Sequence, residues 1–156
     1  MGGCAVGGAS LDFLRRTWTE ISLDNLAFNY MQIQRHVPEK TKIMGIVKAD
    51  AYGHGAVPVS RQLEALGAGF LAVSNLEEAV QLRKGGIGLP ILLLGYTPPQ
   101  FAPYEAEQEI RQEVHSLSYA GQLNEALQGS GKRLKIHLKL DTGMSRVGFF
   151  AYDCPD

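Results

Sequence analysis

A lysine stands where an apolar segment of the chain meets a glycine-rich turn. Residues 43–47 are apolar apart from one glycine, Lys48 follows them, and residues 49–55 include two glycines and a tyrosine. A lysine on a buried strand is costly unless it is paired, deprotonated or covalently used. Burial lowers the pKa of such a lysine, and its neutral amine can then bond covalently to a carbonyl compound. The alternative, and the more common arrangement, is a lysine that extends from a strand end into solvent.

The residues after Lys48 favour a small-molecule site. The phenol of Tyr52 can donate a hydrogen bond to an anion, and Gly53 and Gly55 let the backbone approach a ligand closely. His54 is ambiguous, and we favour a structural role for it.

A second segment, at residues 138–149, contains Lys139, Asp141 and Arg146. Its Asp-Thr-Gly triplet at residues 141–143 also occurs in aspartic proteases, where two carboxylates share a proton. Such proteases are rich in β-structure, whereas this sequence alternates helices and strands, so the protease is the weaker hypothesis. Arg146 taken alone could equally be a surface arginine.

The string Val-Lys-Ala-Asp-Ala-Tyr-Gly-His-Gly at residues 47–55 and the segment at 138–149 resemble the signature segments of alanine racemases, which are pyridoxal-phosphate enzymes. The resemblance implies that Lys48 bonds covalently to the cofactor and that Tyr52 hydrogen-bonds its phosphate. It implies that Arg146 contacts the phenolic oxygen of the cofactor and the substrate. Lys139 matches a lysine that is carbamylated in many members, and a carbamate there would orient Arg146. Many members have glycine where Ser145 stands.

By this resemblance the function is interconversion of L- and D-alanine, with D-alanine supplied for cell-wall peptidoglycan, by an enzyme that is a homodimer at full length. The resemblance covers only the first part of the family's length, and the second catalytic base of the family is a tyrosine from a later region. We therefore expect this chain alone to have no more than trace activity. A serine racemase of the same family and a non-catalytic fragment that binds pyridoxal phosphate are the alternatives.

Apolar segments alternate with helical patterns along the chain. We expect five strands, at 42–47, 70–74, 90–94, 114–117 and 134–140, and residues 17–21 alternate β-forming residues as a further short strand would. We expect helices at 23–37, 56–66, 76–84, 104–108 and 119–127, and N-caps at Ser22 and Ser118. This alternation predicts an α/β fold with parallel strands, in either a doubly wound sheet or part of a (β/α)8 barrel. A complete barrel needs about 250 residues. Because the resemblance to alanine racemases implies a barrel, we expect a partial (β/α)8 barrel of about five parallel strands.

The expected strand at 134–140 has one apolar and one polar face. Its polar face carries Lys135, His137, Lys139 and Asp141. A polar face suits an edge strand, or a strand that lines a functional barrel interior.

Composition excludes several classes of protein. The chain has 156 residues, of which 45% are hydrophobic and 20% charged, with a net charge of −1, as in a soluble globular domain. No basic stripe indicates nucleic-acid binding, and no apolar stretch reaches the roughly 18 residues that span a membrane. Cys4 and Cys154 lie at opposite ends and suggest neither a disulfide framework nor a metal site. We expect a cytoplasmic protein with a flexible tail at 1–16, and the barrel portion at 17–156.

Overall fold

The computed structural model describes residues 17–150, which form a parallel sheet of five strands in the order β1-β2-β3-β4-β5, with helices between them. The strands are β1 (Met44–Ile46), β2 (Phe70–Val73), β3 (Ile91–Leu93), β4 (Ile110–Val114) and β5 (Ile136–Leu138). The α-helices are α1 (Leu23–His36), α3 (Ala56–Ala65), α4 (Leu76–Lys84), α5 (Ala102–Glu107) and α6 (Leu117–Leu127). The short helical turn α2 (Lys48–Gly53) follows β1, and a 3-10 turn (Pro99–Phe101) precedes α5. The strands β6 (Leu140–Asp141) and β7 (Phe149–Phe150) form a separate pair. The predicted partial barrel of about five parallel strands is confirmed.

The helix-covered face of the sheet contains the main core. Leu71 and Val73 of β2 are level with Ile91 and Leu93 of β3, and all four side chains are fully buried. Helices α3 and α4 pack on them, with Leu82 of α4 also fully buried. Strands β2 and β3 read as continuous apolar runs because a central parallel strand is covered on both faces.

The opposite, inner face becomes polar towards β5. The register pairs Glu113 with His137, so the two lie side by side on this face, together with Arg111 and Lys139, which are two residues away along their strands. Arg111 lies 3.3 Å from His137 through their side-chain nitrogens, and its guanidinium lies 4.7 Å from the ring centre of Phe70. The predicted polar face of the last strand is confirmed, and within residues 17–150 β5 is an edge strand.

Capping side chains set where the helices begin. Ser22 accepts a hydrogen bond from the Asn25 N–H, as predicted, and Asn75 caps α4 in the same way. The prediction of Ser118 as a cap was wrong. Ser116 has extended backbone and accepts from the Tyr119 N–H at 3.1 Å, so α6 starts at Leu117.

Two predicted strands also differ from the structure. Residues 17–21 form no strand. The strand expected at 114–117 instead covers Ile110–Val114. The fully buried Gln112 concealed β4, because it places a polar residue on the face that Ile110 and Val114 otherwise make apolar. The tail predicted at 1–16 lies outside the described residues.

Arg83 joins the end of α4 to the next two segments of chain. Its guanidinium donates to four backbone carbonyls, those of Ile87, Leu89, Gln108 and Glu109. Burial lowers the pKa of Arg83 from its ordinary value, while Glu109 and Glu64 oppose that change. A basic residue at a helix end thus satisfies carbonyls that the loops leave without partners.

A buried carboxyl lies in the layer between α5 and α6. The side chain of Glu105 is fully buried, and among the described residues neither of its oxygens has a hydrogen-bond partner. Burial raises the pKa of Glu105 to about 7. The nearby Thr97 hydroxyl opposes that rise only in part, because the two groups do not reach hydrogen-bonding geometry.

Within residues 17–150, no helix is both long enough and apolar enough to cross a membrane.

Candidate active site at the carboxyl end of the sheet

Lys48 lies directly beyond the carboxyl end of β1. The strand is short, and Val47 ends it with its N–H bonded to the Ala72 carbonyl of β2 at 2.9 Å. The carboxyl ends of the strands are the end of a (β/α)8 barrel where active sites are built. The structure therefore places the predicted lysine at the functional end of the sheet.

The turn that follows Lys48 is left-handed. Ala49, Asp50, Ala51 and Tyr52 have φ angles of 51°, 54°, 53° and 57°. A left-handed helical residue that is not glycine costs about 1–2 kcal/mol, so four in succession require compensation from their surroundings. Strained backbone of this kind concentrates at functional sites, where it fixes a geometry that relaxed backbone would not adopt.

Side chains hold this turn at its two ends. Glu78 of α4 accepts from the Ala49 N–H at 2.7 Å, at the start of the turn. Asp50 accepts from the Ala56 N–H at 2.6 Å and thereby caps α3. The ring Nδ1 of His54 lies 2.9 Å from the Ala51 carbonyl oxygen, which gives His54 the structural role we favoured. The motif is thus a folded unit, and three of its polar contacts fix the backbone.

The amine of Lys48 is available to a ligand. Lys48 is half-buried, its Nζ lies 5.9 Å from the ring centre of Tyr52, and no ion pair within residues 17–150 involves it. The Tyr52 side chain is 60% exposed. A Cβ added to Gly53 would meet no atom within 4 Å, so the space beside the turn is open. An unpaired amine beside an exposed phenol and open space fits a carbonyl compound that also carries an anionic group, which is the chemistry of pyridoxal phosphate.

The loop that carries Arg146 is organised by Asp141. Asp141 is buried, and its carboxylate accepts from the N–H groups of Gly143, Ser145 and Arg146, each at 2.9 Å. These hydrogen bonds, that of Ser145 first, hold the pKa of Asp141 below its ordinary range. A carboxylate whose two oxygens are both bonded to its own loop is not arranged to share a proton with a second aspartate. The aspartic protease hypothesis is therefore wrong, as the parallel α/β fold also shows.

The backbone of the same loop shows why glycine is suited to position 145. Ser145 has a φ of 56°, which glycine adopts without cost. Gly148 has a φ of 132°, and a Cβ there would lie 2.8 Å from the Asp141 nitrogen. The Arg146 side chain, between these two residues, is exposed.

Lys139 does not make the contact that the resemblance implies. Its Nζ donates to Glu113 Oε2 at 3.1 Å on the inner face of the sheet. A carbamate on Lys139 would bear a negative charge and would have to displace this pair, since like charges at that distance repel. Carbamylation of Lys139 stays a prediction.

Glu78 and Glu113 are the two site residues that sequence reasoning missed. Glu78 lies far along the chain from Lys48, whose turn it holds, and Glu113 lies far from Lys139, with which it pairs. The residues around each glutamate are typical of an ordinary helix or strand. For Glu113 the sequence held no usable signal, because its position beside His137 and Lys139 depends on the pairing of β4 with β5.

The fold and the candidate site define the class of protein: a partial (β/α)8 barrel with a lysine in a strained turn after its first strand. Comparisons with known proteins identify the family. A family model described as alanine racemase, N-terminal domain, matches residues 21–156. Alanine racemase 1 of Clostridium acetobutylicum is 49% identical over 136 residues, which cover 87% of this chain and 35% of that protein.

Comparison with solved structures identifies the same family. An alanine racemase of Clostridium difficile superposes with a TM-score of 0.78 and 44% identity, covering 82% of this chain and 34% of that one. A histidine racemase of Leuconostoc mesenteroides superposes with a TM-score of 0.77 and 31% identity, covering 82% and 34%. The chain belongs to the alanine racemase family, and it spans about a third of the length of these relatives.

Proposed function

We propose that this chain provides the cofactor-bearing lysine of a pyridoxal-phosphate-dependent racemase that interconverts L- and D-alanine. The observation that carries the proposal is the amine of Lys48, which has no ion pair among residues 17–150 and is held at the carboxyl end of β1 by a left-handed turn. The alanine racemases among its relatives support the substrate. D-alanine for peptidoglycan, a cytoplasmic location and a homodimeric full-length enzyme are parts of the same proposal.

Three residues of this chain have separate roles in the proposed reaction. Bound pyridoxal phosphate acidifies the α-hydrogen of an amino acid attached to it, because its ring withdraws electrons. Lys48 would hold the cofactor, and its amine would accept or return the α-proton on one face of the substrate. By the family resemblance, the Tyr52 hydroxyl would hydrogen-bond the phosphate and the Arg146 guanidinium would contact the phenolic oxygen.

Racemisation needs a second base on the opposite face of the substrate. In the family this base is a tyrosine from a region later than the part that this chain covers. We therefore propose that the chain by itself binds the cofactor and exchanges the α-proton on one face, with only trace racemisation. The family resemblance implies that the cofactor lysine serves the D-isomer, so D-alanine should exchange its α-proton faster than L-alanine.

Exchange of the α-hydrogen in deuterated water tests the proposal. The chain is incubated with saturating pyridoxal phosphate and either alanine isomer, and deuterium incorporation and isomer content are followed by mass spectrometry and chiral chromatography. We expect faster exchange of D-alanine, which Lys48→Ala abolishes and Lys84→Ala, at an exposed lysine of α4, leaves unchanged. Equal exchange by Lys48→Ala would refute the role of Lys48.

Turnover of L- to D-alanine near the enzymatic median of about 10 s⁻¹ would show that a second base lies within this chain. Serine in the same assay tests the alternative substrate. The histidine racemase shows that this fold also serves other amino acids.

A further inference from the structure

Glu78 connects the lysine turn to the neighbouring strand. Its Oε1 accepts from the Ala49 N–H at 2.7 Å, while its Oε2 accepts from the N–H and the hydroxyl of Ser74, each at 2.8 Å. Ser74 directly follows β2, and Ala49 directly follows Lys48. One carboxylate therefore binds the chain just after β1 to the chain just after β2.

No carbonyl of its own turn accepts a hydrogen bond from the Ala49 N–H. The first N–H groups of a helical turn lack carbonyls behind them, and in α2 the earliest turn bond is that of the Ala51 N–H to the Val47 carbonyl. Glu78 thus takes the place of a helix cap, from a residue 29 positions later in the chain. Fixing this N–H fixes the peptide that joins Lys48 to Ala49, and with it the direction in which the Lys48 side chain leaves the backbone.

Glu78 is equipped to keep this contact at neutral pH. Burial by itself raises the pKa of Glu78, but the hydrogen bonds from Ser74 and Ala49 outweigh it and lower the pKa below its ordinary value. The acceptor is therefore a charged carboxylate, and hydrogen bonds from N–H to a charged acceptor are stronger than those to a neutral one.

We propose that Glu78 is a positioning residue for Lys48, acting through the Ala49 N–H to aim the lysine amine at a carbonyl ligand. This inference rests on the proposed function, since the ligand is pyridoxal phosphate. Glu78 itself touches neither the lysine amine nor any reacting atom.

Glu78→Gln is the informative variant because it keeps the shape and loses the charge. A glutamine offers one acceptor oxygen, so its amide N–H must face either the Ala49 N–H or the Ser74 donors. Glu77→Gln removes the same charge from the adjacent, exposed position of α4. Ala79→Gly weakens α4 without touching either bond of the carboxylate.

In the experiment, pyridoxal phosphate is added below saturation and the product is reduced with borohydride. Peptide mass spectrometry then gives the fraction of Lys48 that carries the label, which is corrected for the folded fraction of each variant. Acetic anhydride labelling reports separately whether the amine is accessible. We expect Glu78→Gln to lower the trapped fraction by about tenfold or more, with Lys48 still acetylated. Glu77→Gln and Ala79→Gly should stay near wild type.

Wild-type trapping by Glu78→Gln would overturn the inference and leave the proposed function standing. So would a loss that Ala79→Gly reproduces at equal stability, because that result would make Glu78 a stabilising residue only. No trapping on Lys48 in the unmodified chain would remove the proposed function, and the inference with it.

Discussion

Glu105 should make the stability of this protein fall as the pH rises. The folded chain holds the Glu105 proton up to a pKa of about 7, whereas an exposed carboxyl of the unfolded chain loses its proton near 4.5. Between these values the folded state binds more protons, so stability is highest at low pH, declines through this interval and levels off above it. One unit of pKa difference corresponds to about 1.36 kcal/mol. We therefore expect a loss of about 2–3 kcal/mol from this group between about pH 5 and about pH 8.

Glu105→Gln isolates this contribution. The amide stays neutral at every pH, so the variant should be more stable than wild type by about 2–3 kcal/mol near pH 8 and about equal to it near pH 5. Urea unfolding at the two pH values gives the difference directly, and the contributions of other titrating groups cancel between the two proteins. Glu125→Gln, at an exposed position of α6, is the control and should show no such trend. A stability difference between Glu105→Gln and wild type that is the same at both pH values would refute the reasoning, because it would mean that Glu105 does not bind its proton more tightly in the folded state.

Three further predictions concern stability and association. Ser116→Ala should lower the free energy of unfolding by about 1 kcal/mol, as loss of a cap does, while Ser118→Ala should leave it nearly unchanged; equal effects would contradict the cap at Ser116. Ser145→Gly should be neutral or stabilising by up to about 1 kcal/mol, since it relieves a left-handed residue, whereas Gly148→Ala should destabilise, both measured by thermal unfolding. Leu138 is 66% exposed on the edge strand β5, and exposed apolar strand edges favour association. We therefore expect the chain to self-associate in analytical ultracentrifugation and Leu138→Glu to reduce the associated mass; an unchanged mass would contradict association through this edge.

Features with a local cause could be predicted from the sequence. The strand ending at Lys48, the cap at Ser22 and the polar inner side of the last strand each follow from the periodicity of neighbouring residues or from a side chain a few positions away. Strand β4 was misplaced in the sequence, because the fully buried Gln112 puts a polar residue on the face that Ile110 and Val114 make apolar, and so interrupts the alternation of an ordinary strand.

Contacts between distant segments could not be predicted. The bond from Glu78 to the Ala49 N–H spans two loops that become neighbours only when β1 and β2 pair. Nor does any local pattern reveal that the residues after Lys48 adopt a left-handed turn, since two alanines there would ordinarily favour a right-handed helix. In both cases the conformation depends on tertiary contacts, which the local sequence does not reveal.

The most direct test of the central claim is the position of the label after reduction. The chain is mixed with pyridoxal phosphate, reduced with borohydride and digested, and the modified lysine is identified by mass spectrometry. We predict that Lys48 carries most of the label and that Lys48→Ala loses it without a matching gain at other lysines. A label spread over exposed lysines such as Lys84 and Lys132, and unchanged in Lys48→Ala, would contradict the claim that this turn is built to present a reactive lysine.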